Sequence, residues 1–535
     1  MTATSLTTTD PHLNALLPRV RKFLDQDFSD VDALGSSVRG YRSPDGPSLW
    51  LRDHSDMMRG FRYWEPDMKS MVDHFAETQT RRGWLFDYFT YTPDKLPSER
   101  ENWAKYVRVP VEADVEYRFV NAVFLAWQAT GDDQWMRSML PHVELALEYI
   151  LNDHARWDPR HRLVKRAYTI DTWDFDYTAG RHDWLNFQIT PDTFWGIMHG
   201  DNSGYYQAFM RLALMLEQLR RFQHAAHWRR FAASFRARAN KVCFNGRFYT
   251  HHVHLVPVTI SGVDEAAQLS LSNPMNINRG LATHAMAVSI IDEYRRRGAA
   301  SGAFAPWYSI DPPFPDGVYG DDKLVGGAYC NGGIMPLVGG ELIRASFDHG
   351  REEYAVDQLL KYEELSRSGE TYLWYFPDGR HATKETSTSP EAYPTDGWGA
   401  SAMLYALMEG LAGIVDTGTV FSRVALSPRW AAAGVDEAEV VAAYGASGTS
   451  IGYHYRHDPA HGCISLELEG TCDGHLHLLL PPQCRASGVR VNGRSVAART
   501  KVVEQSCYAD ASFRLRGRGH VSVSYKKKRG SVHET

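Results

Sequence analysis

Up to about residue 415 the apolar positions recur every three to four residues, the period of a helix with one buried face. In VEADVEYRFVNAVFLAWQATGD the stripe is Val115, Phe119, Ala122, Val123 and Ala126, and Gly131 supplies a stop. Tyr205, Phe209, Leu212, Leu216 and Leu219 repeat it in YYQAFMRLALMLEQLRR. The same reading predicts further helices near 13–27, 55–78, 137–152, 225–240, 278–297, 332–346, 350–367 and 398–413. Roughly ten to twelve helices joined by aromatic, Pro- and Gly-rich loops, with almost no strand alternation, imply a mainly α domain of stacked hairpins over 1–418. Beyond it the period falls to two. SIGYHY, CISLELE, HLHLLL, VRVNGRSV, SFRLRG and HVSVSY alternate, and Asn492-Gly493 is a strong hairpin signal. Residues 419–526 are therefore expected to form a small C-terminal antiparallel β-sandwich, followed by a short basic tail at 527–535.

Composition narrows the function classes. A chain of 535 residues with net charge -6 carries no global basic field, so a nucleic acid is not an expected partner. No run of about 18 uncharged apolar residues is present, and MTATSLTTTDPHLNALLPRV lacks a basic segment followed by an apolar one. These features predict a cytoplasmic protein without membrane attachment. Six cysteines without CxxC or His spacing indicate neither a disulfide scaffold nor a metal site. The unusual total is aromatic, with 15 Trp, 27 Tyr and 23 Phe. Rings beside polar residues serve a large core or form stacking platforms for sugars.

Four clusters crowd charges against such rings. LWLRDHSDMMRGFRYW holds Trp50, Arg52 and Asp53, with Asp56 reading equally as a helix cap. YTIDTWDFDYTAG sets Asp171, Asp174 and Asp176 among Trp173, Phe175 and two tyrosines, and HGDNSGYYQAF adds Asp201 at a helix start. The third stretch, FPDGVYGDDKLVGGAYCNGGIMPLVGGE, contains Asn331; the fourth, ETYLWYFPDGRHATKETSTSPEAYPTDGWGAS, contains Trp374, Glu385, Glu391 and Trp398. Each lies on the loop side of a predicted hairpin, and in a closed ring those loops converge. A carboxyl kept dry by aromatic rings retains its proton, which is what a general acid needs. A second carboxylate across the pocket can activate water.

The order of these motifs resembles the six-hairpin, (α/α)6-barrel glycosidases, particularly the amylo-α-1,6-glucosidase domain of glycogen debranching enzymes, trehalases and processing α-glucosidases. LWLRDHSDMMRG looks like their Arg-Asp motif, TWDFD with HGDNSGYYQAF like their acid segment, YCNGGIMPLVGGE like their Asn-Gly-hydrophobic-Pro stretch, and KETSTSP with DGWGASAM like their Glu and Gly-Trp pairing. The resemblance implies an (α/α)6 barrel and an inverting, exo-acting glycoside hydrolase on a small carbohydrate, without cofactor or metal. The family acid follows Thr-Trp by one residue more than Asp174 does, so Asp174 and Asp176 compete, Asp174 being preferred. The base falls on Glu385, with Glu391 second. Trp50, Arg52, Asp53, Trp173, Asp201, Asn331, Trp374, Glu391 and Trp398 are carried over as substrate-binding.

The C-terminal segment LPPQCRASGVRVNGRSV is similar to the β domain of α-L-rhamnosidases, yet Arg52-Asp53 is followed by His and Ser rather than by the rhamnosidase Arg-Asp-Glu and Gly-Trp pattern. That departure favours an α-glucosidase-like substrate over a rhamnoside. A glycoside phosphorylase, a sugar epimerase and a noncatalytic sugar-binding protein are the rival readings. Arg380 and His381 beside the base region suit the phosphorylase.

Overall fold

The computed structural model describes residues 3–33, 35–42, 48–90, 106–109, 111–173, 175–180, 189–387 and 392–527. Twelve α-helices follow one another there: α1 (Pro11–Leu24), α2 (Leu51–Phe61), α3 (Ser70–Glu77), α4 (Val115–Thr130), α5 (Asp133–Asn152), α6 (His199–Gln218), α7 (Phe222–Cys243), α8 (Ser272–Asn278), α9 (His284–Ala300), α10 (Pro336–Asp348), α11 (Glu352–Leu365) and α12 (Gly397–Tyr405). Each even-numbered helix packs on the next, and α12 closes on α2. The odd-numbered helices lie outside this ring, so the helices form six hairpins around a common axis. Burial separates the two layers. Of α4, fifteen residues from Val115 to Ala129 are buried, whereas α5 buries one stripe: Met136, Met139, Leu140, Val143, Ala146, Leu147 and Ile150.

The inner helices approach through glycines. A Cβ on Gly60 of α2 would lie 2.7 Å from Ser401 Oγ of α12, one on Gly204 of α6 would lie 2.4 Å from the Tyr117 ring of α4, and one on Gly340 of α10 would lie 2.3 Å from the Ala402 carbonyl carbon. Helix ends follow local chemistry. Asp132 caps α5 by accepting from the backbone N–H groups of Gln134 and Trp135, and Gly131, at φ 68°, ends α4.

The structure corrects three expectations. The helix expected over 55–78 is two, α2 and α3, because the chain turns across 62–69, where Pro66 lacks a backbone donor. The one expected over 278–297 begins only at His284, as α9: Asn278 is the last residue of α8, and Gly280, at φ 80°, follows it. The chain as a whole is not mainly α, since helices hold 38% of it. The remainder lies in loops, short strand pairs and one large sheet.

That sheet has ten strands: β1 (Ser5–Thr8), β2 (Ile414–Asp416), β3 (Arg423–Leu426), β4 (Glu437–Ala443), β5 (Ser450–Asp458), β6 (Cys463–Leu479), β7 (Cys484–Val491), β8 (Arg494–Val496), β9 (Arg499–Val503) and β10 (Ser506–Lys527). Its main path runs β1-β4-β5-β6-β10-β7-β8. It is not purely antiparallel, because β3 pairs parallel to β6. Asn492 and Gly493, both at positive φ, make the β7–β8 turn. The sheet takes its first strand from the N-terminus, with Leu6 opposite Val440. It touches the barrel directly: Thr4 Oγ1 donates to the carbonyls of Tyr63 and Ala443, and Gly445 N–H donates to the Arg62 carbonyl.

Candidate active site

The first turns of the inner helices carry a continuous chain of ion pairs. Arg52, in the first turn of α2, forks onto Asp114 with Nε–Oδ2 2.9 Å and Nη2–Oδ1 3.0 Å, and also donates to Glu112. Asp114, the residue before α4, accepts from Arg118 Nε at 3.2 Å. Arg118 in turn donates to Asp56 of α2 at 2.5 Å, and Asp56 accepts the indole N–H of Trp398, at the start of α12, at 2.8 Å. At the other end Arg166 lies 3.8 Å from Glu112 and meets both oxygens of Asp201, in the first turn of α6, at 3.3 and 3.4 Å. Its second nitrogen donates to the Trp173 carbonyl at 2.8 Å. Trp173 and Trp398 then stack, with ring centroids 5.6 Å apart and planes 27° apart, which returns the chain to its beginning.

Charge counting gives the network its character. Three arginines, Arg52, Arg118 and Arg166, face four carboxyls, Asp56, Glu112, Asp114 and Asp201. Burial opposes ionisation of Asp114, yet Arg52 and Arg118 hold it well below the usual carboxylate range. Burial opposes ionisation of Asp56 as well, and there Arg118 and Arg59 prevail and hold the carboxyl low. Asp201 goes the other way. Its complete burial outweighs Arg166 and pushes its carboxyl up to about 6. The aromatic wall continues through Tyr329, edge-on to Trp173 at 5.3 Å, and Trp374, 6.4 Å from Tyr329.

The network thus holds Arg52, Trp173, Asp201 and Trp398 of the residues singled out in the sequence. Asp53 is half-buried in the first turn of α2, and Trp50 packs on Tyr88 with centroids 4.0 Å apart. Asp171 is a buried turn residue at φ 47° whose carboxylate accepts from Thr172 N–H, Ser272 N–H and Ser272 Oγ, tying the loop to α8. Asp176 is buried too, and its backbone bridges to Thr169. Asn331 clamps the loop ahead of α10: its carbonyl oxygen accepts from Phe314 N–H, and its amide donates to the carbonyls of Phe314 and Leu324. Glu385 sits on an exposed turn, its carboxyl lowered by its own backbone and by Thr383. Asp174 and Glu391 lie outside the described residues.

Glu112, Asp114, Arg118 and Arg166 escaped the sequence reading. The available signal was Glu112, Asp114, Glu116 and Arg118 at every second position across the start of an apolar helix. Asp56 belongs to the network from within α2 and does not cap that helix. Among the described residues no group of three or more His, Cys, Asp or Glu side chains could hold a metal ion. No helix among them is long and apolar enough to cross a membrane.

No protein-family model matches the chain, and no curated protein matches it. Solved structures do. An α-L-rhamnosidase from Dictyoglumus thermophilum superposes with TM-score 0.60 at 11% identity, covering 98% of this chain and 51% of its own. An α-L-rhamnosidase from Streptomyces avermitilis, complexed with L-rhamnose, gives 0.58 at 14%, covering 98% and 42%. A GH63 mannosylglycerate hydrolase from Thermus thermophilus, in complex with Tris, gives 0.50 at 14%, covering 74% and 99%. The chain spans about half the length, or less, of the rhamnosidases it matches. What it shares with these glycoside hydrolases is a fold: a ring of helical hairpins, joined in the rhamnosidases by the β domain as well.

Proposed function

We propose that the protein is a glycoside hydrolase that removes a terminal sugar from a small glycoside or oligosaccharide with inversion at the anomeric carbon. One observation carries the reading: a buried arginine–carboxylate chain joins the first turns of α2, α4, α6 and α12 and ends on two stacked tryptophans. Such a wall suits a sugar, whose hydroxyls take charged partners and whose ring stacks on indole. In this reading Asp174, adjacent to Trp173, protonates the leaving oxygen, with Asp176 as the second choice. Glu385 activates water. Glu391, closer in the chain to Trp398, is the alternative base, and the exposure of Glu385 strengthens its case. Inversion requires the acid and base carboxyls to stand roughly 6.5–9.5 Å apart, room for one water.

The residues after Arg52-Asp53 favour an α-glucoside, as in the debranching enzymes. The fold neighbours that match both the barrel and the sheet are α-L-rhamnosidases, and this supports a rhamnoside at least as well. A panel of aryl α- and β-glycosides that includes both sugars tests the reading, with Asp174→Asn, Glu385→Gln and Glu391→Gln as variants. The residues that act as acid and base should lose at least about 10²-fold in kcat/KM on substitution. A folded parent protein that turns over no glycoside defeats the proposal.

A further inference from the structure

Beyond the first turns, the middle of the ring is hollow. A cavity of about 350 Å³ runs from Asp56 and Arg118 toward the later turns of the inner helices, reaching the exposed Thr417. Five arginines line it: Arg59, Arg62, Arg118, Arg211 and Arg279. Three are answered by carboxylates, Arg59 by Glu341, Arg62 by Glu409 and Arg118 by Asp56. The remaining acid on the wall, Asp416, already accepts from the backbone N–H groups of Gly418 and Phe421, and burial pushes its carboxyl up to about 6. Arg211 and Arg279 have no carboxylate within ion-pair distance among the described residues. Arg279 donates to the Gly200 carbonyl and to Ser203 Oγ. Arg211 lies over the Phe124 ring, 4.7 Å from its centroid, and its Nη1 is buried without a hydrogen-bond partner.

Arg211 and Arg279 are half-buried, and a guanidinium drawn part of the way out of water without a counter-charge carries a desolvation cost that an anion would offset. Around Arg211 the neighbours make this worse. Burial first, and the cations Arg279, Arg62 and Arg59 with it, bring its proton affinity down to about 9 against the opposing pull of Tyr405. An anion in the cavity would meet Arg211 on its wall, with Gln207, one turn earlier on α6, lining it as well. The planar guanidinium matches two oxygens of a phosphate or carboxylate group.

From this geometry we propose that the hollow behind the candidate active site is a binding site for a small oxyanion, of phosphate or carboxylate chemistry, held by Arg211 and Arg279. The inference does not depend on the glycosidase reading. Titration calorimetry of the full chain with inorganic phosphate, and separately with malonate, at low ionic strength tests it and distinguishes the two chemistries. At least one of the two should bind at millimolar concentration or below, and Arg211→Gln should weaken that binding at least tenfold. Crystals soaked in selenate should show anomalous density beside Arg211 and Arg279, an outcome that also decides the matter if Arg211→Gln does not fold. Absence of binding by both anions, equal binding by parent and Arg211→Gln, or selenate density only elsewhere would overturn the proposal.

Discussion

Asp201 is wholly buried against Arg166, and burial lifts its carboxyl from an ordinary 3.8 to about 6. The folded state therefore holds this proton more tightly than the unfolded chain does. The group's contribution to stability is fully present below pH 3.8 and is lost as pH rises through about 6. Asp201→Asn abolishes that titration. Its stability relative to the parent should improve as pH rises from about 4 to 6, by on the order of 3 kcal/mol, and stay level above. Denaturant unfolding at several pH values checks the slope. Because Arg166 also holds the Trp173 carbonyl, the same variant should loosen the loop and lower kcat/KM by about 10²-fold. Trp398→Phe keeps the stacking ring but removes the donor to Asp56, and should cost roughly 1–3 kcal/mol in the same unfolding measurement. Arg52, Trp173, Asp201 and Trp398 were legible in the sequence because charge beside indole is conspicuous. Glu112 and Asp114 were not, since their partner Arg52 lies about sixty positions away and only the closure of the ring brings them together.

At the level of elements, the ring depends on close helix crossings. Gly340→Ala would drive a methyl into the Ala402 backbone, and α10 or α12 must shift to receive it. We expect a loss of roughly 1–3 kcal/mol and a lower thermal midpoint by calorimetry. Asp396 caps α12 by accepting from the N–H groups of Trp398 and Gly399, so it also fixes the first turn that carries Trp398. Asp396→Ala should cost about 1 kcal/mol and should raise KM through Trp398, which steady-state kinetics would detect. The long helices were legible from their apolar stripes. The short α8 was not: seven residues, SNPMNIN, bury six side chains without any amphipathic period to reveal them.

For the whole molecule, the main buried core runs from the helices into the sheet, and the first strand of that sheet is the N-terminal segment Ser5–Thr8. Truncation before Asp10 removes both this edge strand and the Thr4 bridge to Tyr63, and should lower the thermal midpoint of the intact chain. A change of period near residue 415 was enough to foresee two architectures, but SLTT carries no sign of its partner some four hundred residues away. Both architectures serve one claim, that the loops ahead of the inner helices meet around a sugar. NMR of the sugar first released from aryl α-L-rhamnoside and aryl α-glucoside tests it most directly. The account predicts turnover of at least one substrate, with the anomeric configuration inverted in the first product. Release of the retained anomer, or no release of sugar by folded protein, would contradict it.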